Sequence, residues 1–275
     1  MKKEALEEMR PVWVRAYVNR KRCSEQEAES AFSSESEYFE MQTEASPDLK
    51  ECTELSLKNS FLSMAVDGVS IQPGSKAEAY LEARNVKTRE NGMEAYAKVC
   101  SLRISPYGEL NMRIMAGQIV RASNPIVLYE GDHFQPRTNE QGDLVVDYRP
   151  AIPRKSGRII GCYIQIVLPR GGKDYKWLLE DDIARLMGYS SRQKRNGNAN
   201  ALYTSNKGQI DPGFLEAKTL KHAMRSYTKL RVSEYVRLED EMDETEPEDF
   251  TPEPEDGPET VTYQGGGEEE EEETF

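Results

Sequence analysis

With 275 residues, 36 Lys+Arg and 49 Asp+Glu, the chain has room for one large domain or two small ones and carries a net charge of −13. That charge averages two unlike parts. All 36 basic residues precede Leu238 and 18 acidic ones follow it, so residues 1–237 are net +5 and residues 55–237 net +10, the footprint of a polyanion binder. No run approaches the about 18 apolar residues of a transmembrane helix, and "MKKEALEEMRP" lacks the apolar stretch of a signal peptide, so no membrane is expected. Cys23, Cys52, Cys100 and Cys162 show no C-x-x-C spacing, which argues against a zinc site or a disulfide framework and fits a reducing cytoplasm.

Residues 4–42 read as two helical stretches broken by Pro11 and by "NRKRCSE". Ser24 with Glu27 fits a capping box at the second, whose apolar contacts come from Phe32, Tyr38 and Phe39. "ASPDLKEC" reads as a hinge. In "TELSLKNSFLSMAVDG", Leu55, Leu62, Met64 and Val66 recur at helix-like intervals and Gly68 sits just past the end. "AEAYLEARN" and "EAYAKVCSLRI" read as strands joined by a turn at Asn91-Gly92. A helix over "GELNMRIMAG" stops at Gly117. Strand candidates follow in "NPIVLYEG", "DLVVDYR", "RIIGCYIQIVL" and "DYKWLL", the last two flanking a hairpin turn, "PRGGK". "EDDIARLMG" is a short helix with acidic residues at its dipole-favoured start. Residues 189–209 form a basic, Asn/Gly-rich loop, and the longest helix runs over 211–238 from Asp211 as N-cap and Pro212 as first residue. The predicted class is α+β: a helical N-terminal arm (1–52), a core (53–237) of antiparallel sheet and hairpins packed with the long basic helix, and a disordered acidic tail (238–275).

The sequence offers no catalytic centre, cofactor site or metal site. "PRGGKDY" lacks the first glycine, the Ser/Thr and the following helix of a phosphate loop. In "YEGDHF", Asp132 and His133 are adjacent on a strand end and point to opposite faces, which makes them poor co-ligands. The basic helix is more informative. Lys218, Lys221, His222, Arg225 and Lys229 fall within one arc roughly 100° wide. No acidic residue interrupts Ala217–Ser233, so the stripe forgoes the ion pairs of an ordinary exposed face. It reads either as a phosphate-binding face or as a solvated one. Arg192, Lys194, Arg195 and Lys207 in the loop, Arg154 before a strand, and Arg113, Arg121, Lys173 and Lys176 complete the candidate DNA contacts, with Tyr107. Tyr107, Tyr175, Trp177, Tyr189 and Tyr203 lie among these charges, and cations with aromatics suit single-stranded nucleic acid. Core packing is the plain reading of each ring taken singly, and the preferred one for Trp177.

Four blocks add a resemblance. "VSIQPGSKAEAYL" is similar to the Leu-x-Pro-Gly-Ser…Ala-Tyr-Leu stretch of the RecT/Redβ family of phage single-strand annealing proteins. "PYGELNMRIMAGQ" resembles its Tyr-Lys/Arg-Gly…Gly-Gln segment, "VLYEGDHF" its Val-x-x-Glu-Gly-Asp-x-Phe strand end, and "EAKTLKHAMRSY" its Ala-Lys-Lys-Thr helix, in the right order from Val69 to Tyr227. The resemblance implies a recombinase, phage or prophage encoded and working in the bacterial cytoplasm. It would coat single-stranded DNA and anneal it to a complementary strand without nucleotide hydrolysis. Implied too are homo-oligomeric rings or helical filaments and a partner exonuclease. By the same resemblance Lys218 matches a lysine of the Ala-Lys-Lys-Thr block and His222 falls where basic residues are common. The alternative is a metal-dependent nuclease using Glu130 and Asp132. The ending "GGGEEEEEETF" reads first as a solubilising disordered tail. Tethered to a basic body, the same polyanion can also compete with DNA phosphates for the groove, and the ending looks like the acidic, phenylalanine-terminated tip of bacterial single-stranded-DNA-binding proteins, which implies competition for a host partner's pocket; the two roles can coexist.

Overall fold

The computed structural model describes residues 3–90, 93–192, 199–233 and 236–238. Helix α1 (Lys3–Lys21) continues through Pro11 instead of breaking there. Leu6 lies on one side of the proline and Trp13 and Val14 on the other, all buried, so packing on both sides of Pro11 outweighs its missing N–H. The expected capping box opens α2 (Glu25–Ala45): the Glu27 N–H donates to Ser24 Oγ and the Ser24 N–H donates to Glu27 Oε2. The expected hinge is a short helix, α3 (Pro47–Lys50), capped by Ser46, because Leu49 and Cys52 are apolar enough to bury it. Helix α4 (Glu54–Asp67) ends at Gly68, whose φ of +70° is the left-handed conformation that favours glycine.

Trp13, Phe32, Phe39 and Phe61 are fully buried and meet at ring-centroid distances of 5.1 to 5.8 Å. The Trp13 indole N–H donates to the Phe61 carbonyl. Their cluster takes in Ala79 of β1 (Ala79–Glu90) and Leu102 and Ile104 of β2 (Met93–Ile104). The N-terminal segment is therefore helical as expected, but it is built into the core and is not a separate arm. Strands β1 and β2 pair antiparallel from Ala79↔Ile104 to Glu90↔Met93, while the turn expected at Asn91-Gly92 lies outside the described residues. Ser105 caps α5 (Pro106–Met115), and Gly108 has no room for a side chain, since a Cβ there would collide with the Glu78 carbonyl oxygen.

A second sheet follows. Strands β3 (Arg121–Ala122) and β4 (Ile126–Tyr129) pair with one edge of β7 (Ile159–Val167), and β8 (Lys173–Leu179) pairs with the other. Between β4 and β7, β5 (His133–Thr138) and β6 (Leu144–Arg149) form a hairpin. The sequence marked β6 but not β5, since "HFQPRT" has no apolar alternation and a proline. Cys162, Ile164, Ile166 and Leu178 pack towards α7 (Pro212–Met224), whereas Tyr163 and Tyr175 pack towards the hairpin with Phe134 and Tyr148. Helix α6 (Glu180–Arg192) extends into the basic loop by four residues more than "EDDIARLMG" allowed.

Helix α7 starts at Asp211 and Pro212 as expected but ends at Met224, not Leu238. Leu230 and Val236 are buried in the first cluster, where a continued helix could not deliver them. Instead β9 (Val236–Leu238) adds parallel to β2 and takes in one residue of the expected tail. The acidic segment from residue 239 onward lies outside the described residues. The architecture is α+β, and no helix among the described residues is long and apolar enough to cross a membrane.

Candidate nucleic-acid interface

The predicted cationic stripe is not one continuous face. Helix α7 is covered on one side by β7 and β8 and on another by α5, so its buried arc is wider than that of a helix packed on one side only. Lys221 is consequently 4% exposed. Lys218 is half-buried with its ammonium 5.2 Å from the centre of the Phe214 ring. Arg225 is the C-cap residue and Lys229 lies past the helix, both exposed. Arg113 is 2% exposed: it donates to Glu109 on its own helix, to Gln118 Oε1, and to the Thr228 carbonyl at 2.7 Å. It fastens α5 to the segment leaving α7 and offers nothing to a phosphate. Lys194 and Arg195 lie outside the described residues.

His222 is half-buried where α7 meets β8 and α6. Burial lowers its pKa below the usual 6.5; Arg225, Lys176 and Arg185 push the same way, against Asp182. The unfolded chain thus takes up this proton at a higher pH than the folded chain. The associated stability is whole above about pH 6.5 and is lost as pH falls towards the folded pKa. His222→Gln is expected to remove that part of the decline in Tm between about pH 7.5 and 5.5, read by parallel thermal melts. Sequence reading missed Arg185, which pairs with Asp182 at 2.8 Å, just as Lys176 pairs with Asp174 at 3.4 Å. These pairs offset much of the positive charge on this side.

The hairpin side of the second sheet is different. Register places Arg121 opposite Val167 and Val167 opposite Lys173, so all three side chains leave the same face. Arg121 and Lys173 are exposed, as is Arg170 in the β7–β8 turn, and none of the three has a carboxylate partner among the described residues. One row further along that face come Ser123, Gln165 and Tyr175, then Tyr163, with Tyr148 of the hairpin opposite. They line a pocket of about 210 Å³. The sequence signalled Arg121, Lys173 and Tyr175 individually; only strand register brings them together.

The remaining candidates are scattered. Tyr107 is half-buried against the α7 cluster, with the Lys76 ammonium 5.8 Å from its ring. Arg154 stacks on Tyr129 at 3.9 Å and Arg192 on Tyr189 at 4.7 Å. Lys207 is exposed, and Tyr203 is buried against Phe214. Trp177 packs edge-on against Phe134, a core contact as preferred from sequence. Both carboxylate oxygens of Asp132 are engaged by backbone: Oδ2 accepts from the Tyr129 N–H of its own turn and Oδ1 from the Ala151 N–H beyond β6. Glu130 pairs with Arg158. Neither carboxylate joins a group of metal-ligating side chains among the described residues. A scan against protein-family models and a search of curated proteins found no match to this chain, so the resemblance rests on its four sequence blocks.

Proposed function

We propose that the chain binds single-stranded DNA and anneals complementary strands without nucleotide hydrolysis, assembling as a homo-oligomer on the strand. The observation that carries this reading is the end of the second sheet, where Arg121, Arg170 and Lys173 stand exposed, without carboxylate partners among the described residues, beside a small pocket edged by the half-buried Tyr148 and the largely buried Tyr163 and Tyr175. Cations there hold the phosphates and lower repulsion between strands, and rings beside them accept bases irrespective of sequence. The net charge of +10 over residues 55–237 and the resemblance to single-strand annealing proteins support the same reading. An exonuclease that supplies the strands and a host single-strand-binding protein are the partners this function calls for.

The test is annealing of two dye-labelled complementary oligonucleotides, followed by energy transfer without ATP, together with binding to one strand over a range of salt. Replacing Arg121, Arg170 and Lys173 by Gln is expected to weaken binding to all sequences alike and to flatten the log–log salt slope by about 2, at about 0.7 per phosphate. An unchanged slope removes this surface from the interface. Cleavage of the labelled strand in magnesium, with no duplex formed, replaces annealing by nuclease activity.

A further inference from the structure

The pocket on the hairpin side has the chemistry of a site for one flat heterocycle. Tyr148 and Tyr163 pack against each other at a centroid distance of 5.4 Å and form one wall, and Tyr175 closes another side; Tyr163 and Tyr175 are largely buried and present only their edges. Ile126 and Val146 complete the apolar lining, and Ser123 and Gln165 supply the polar groups. The Gln165 side-chain N–H donates to the Tyr175 hydroxyl at 2.6 Å, which leaves the amide oxygen, the second amide N–H and the Tyr175 O–H for a ligand. The Gln165 backbone N–H donates to Ser123 Oγ, so the Ser123 O–H is also left to donate. At about 210 Å³ the space is smaller than the roughly 300–1,000 Å³ of drug-sized ligand sites. It suits a single ring system with donors and acceptors along one edge.

What lies beside the pocket identifies the ligand further. Arg121 and Lys173 are each two residues from a pocket residue, Ser123 and Tyr175, on the same face of neighbouring strands. Two residues along a strand span about 6.6 Å, a separation on the scale of that between a base and its own phosphate. We infer that this pocket receives one unstacked base of the bound strand, resting against the accessible edges of its tyrosines and read along its own edge by Gln165 and Ser123, while Arg121 and Lys173 take the adjoining phosphates. The inference rests on the proposed single-strand binding and adds a base subsite to it. Such a subsite draws a base out of the stack and fixes the strand's register on the protein.

The experiment compares a single-stranded oligonucleotide with one of the same length whose sugars carry no bases, so that the phosphates are equal. The full-length protein is expected to bind the base-bearing strand about ten-fold or more tightly, the effect of base–aromatic stacking. A 2-aminopurine in the strand is expected to change its emission on binding. Gln165→Leu and Tyr148→Leu should shrink the difference between the two strands and leave the salt slope alone, whereas Arg121→Gln with Lys173→Gln should weaken both strands equally. Thermal melts of each variant separate loss of the site from loss of the fold. Equal binding of the two strands by the wild-type protein overturns the base subsite and leaves single-strand binding standing. A preference for bases that survives both pocket variants, correctly folded, moves the subsite elsewhere and overturns this assignment. If neither strand binds, the proposed function falls and the subsite with it.

Discussion

Phe61→Ala is expected to cost about 3–5 kcal/mol of stability and to loosen α1 and α2 together with α4. Phe61 is fully buried and touches three other aromatic rings: Trp13 from α1, and Phe32 and Phe39 from α2. Truncation leaves a cavity among rings that are held by different helices, and the Trp13 indole, bonded to the Phe61 carbonyl, cannot move to fill it without losing that bond. Denaturant unfolding gives the stability loss. Amide exchange gives its distribution: faster exchange in α1 and α2 follows if they belong to this core, and unchanged exchange there restores the picture of a separate arm.

Arg113→Met has the second-largest expected effect, again about 3–5 kcal/mol, because it strands the buried Glu109 carboxylate and removes the donors to Gln118 and to the Thr228 carbonyl. Changing both members, Arg113→Met with Glu109→Leu, is expected to recover part of the loss, since a buried ion pair is weak against an apolar pair of similar volume. Guanidinium melts of the two single variants and the double variant close the cycle. Strand binding by Arg113→Met should fall only as the folded fraction falls. A selective loss of affinity in a fully folded Arg113→Met protein would return Arg113 to the interface.

What the sequence made legible is local. Ser24 with Glu27, Asp211 with Pro212 and Gly68 act through bonds or dihedral angles within a few residues, and each starts or stops its helix where expected. What it hid depends on distant partners. The end of α7 is decided by the demand of the first cluster for Leu230 and Val236, and nothing near Met224 announces it. Lys221 and Arg113 look like any other cations on helices, because a charged residue facing a buried partner has the same periodicity as one facing water. The pocket was hidden for another reason: Ser123, Tyr148, Tyr163 and Tyr175 come from four separate stretches, and alternation alone gives each strand's faces but not which strands are neighbours.

The parallel pairing of β9 with β2 bears on how the chain is made. Leu102 meets Val236 across about 130 intervening residues, and at roughly 5–20 residues per second the ribosome needs on the order of ten seconds to supply them. During that interval β2 has β1 on one edge and nothing from β9 on the other, although nearly all the helices that cover this sheet are already outside the tunnel. The first-made part of the protein is thus the last to be finished. An unfilled strand edge is the surface on which nascent copies stick to one another, so a polysome crowded with half-made chains is where this fold is most exposed to aggregation.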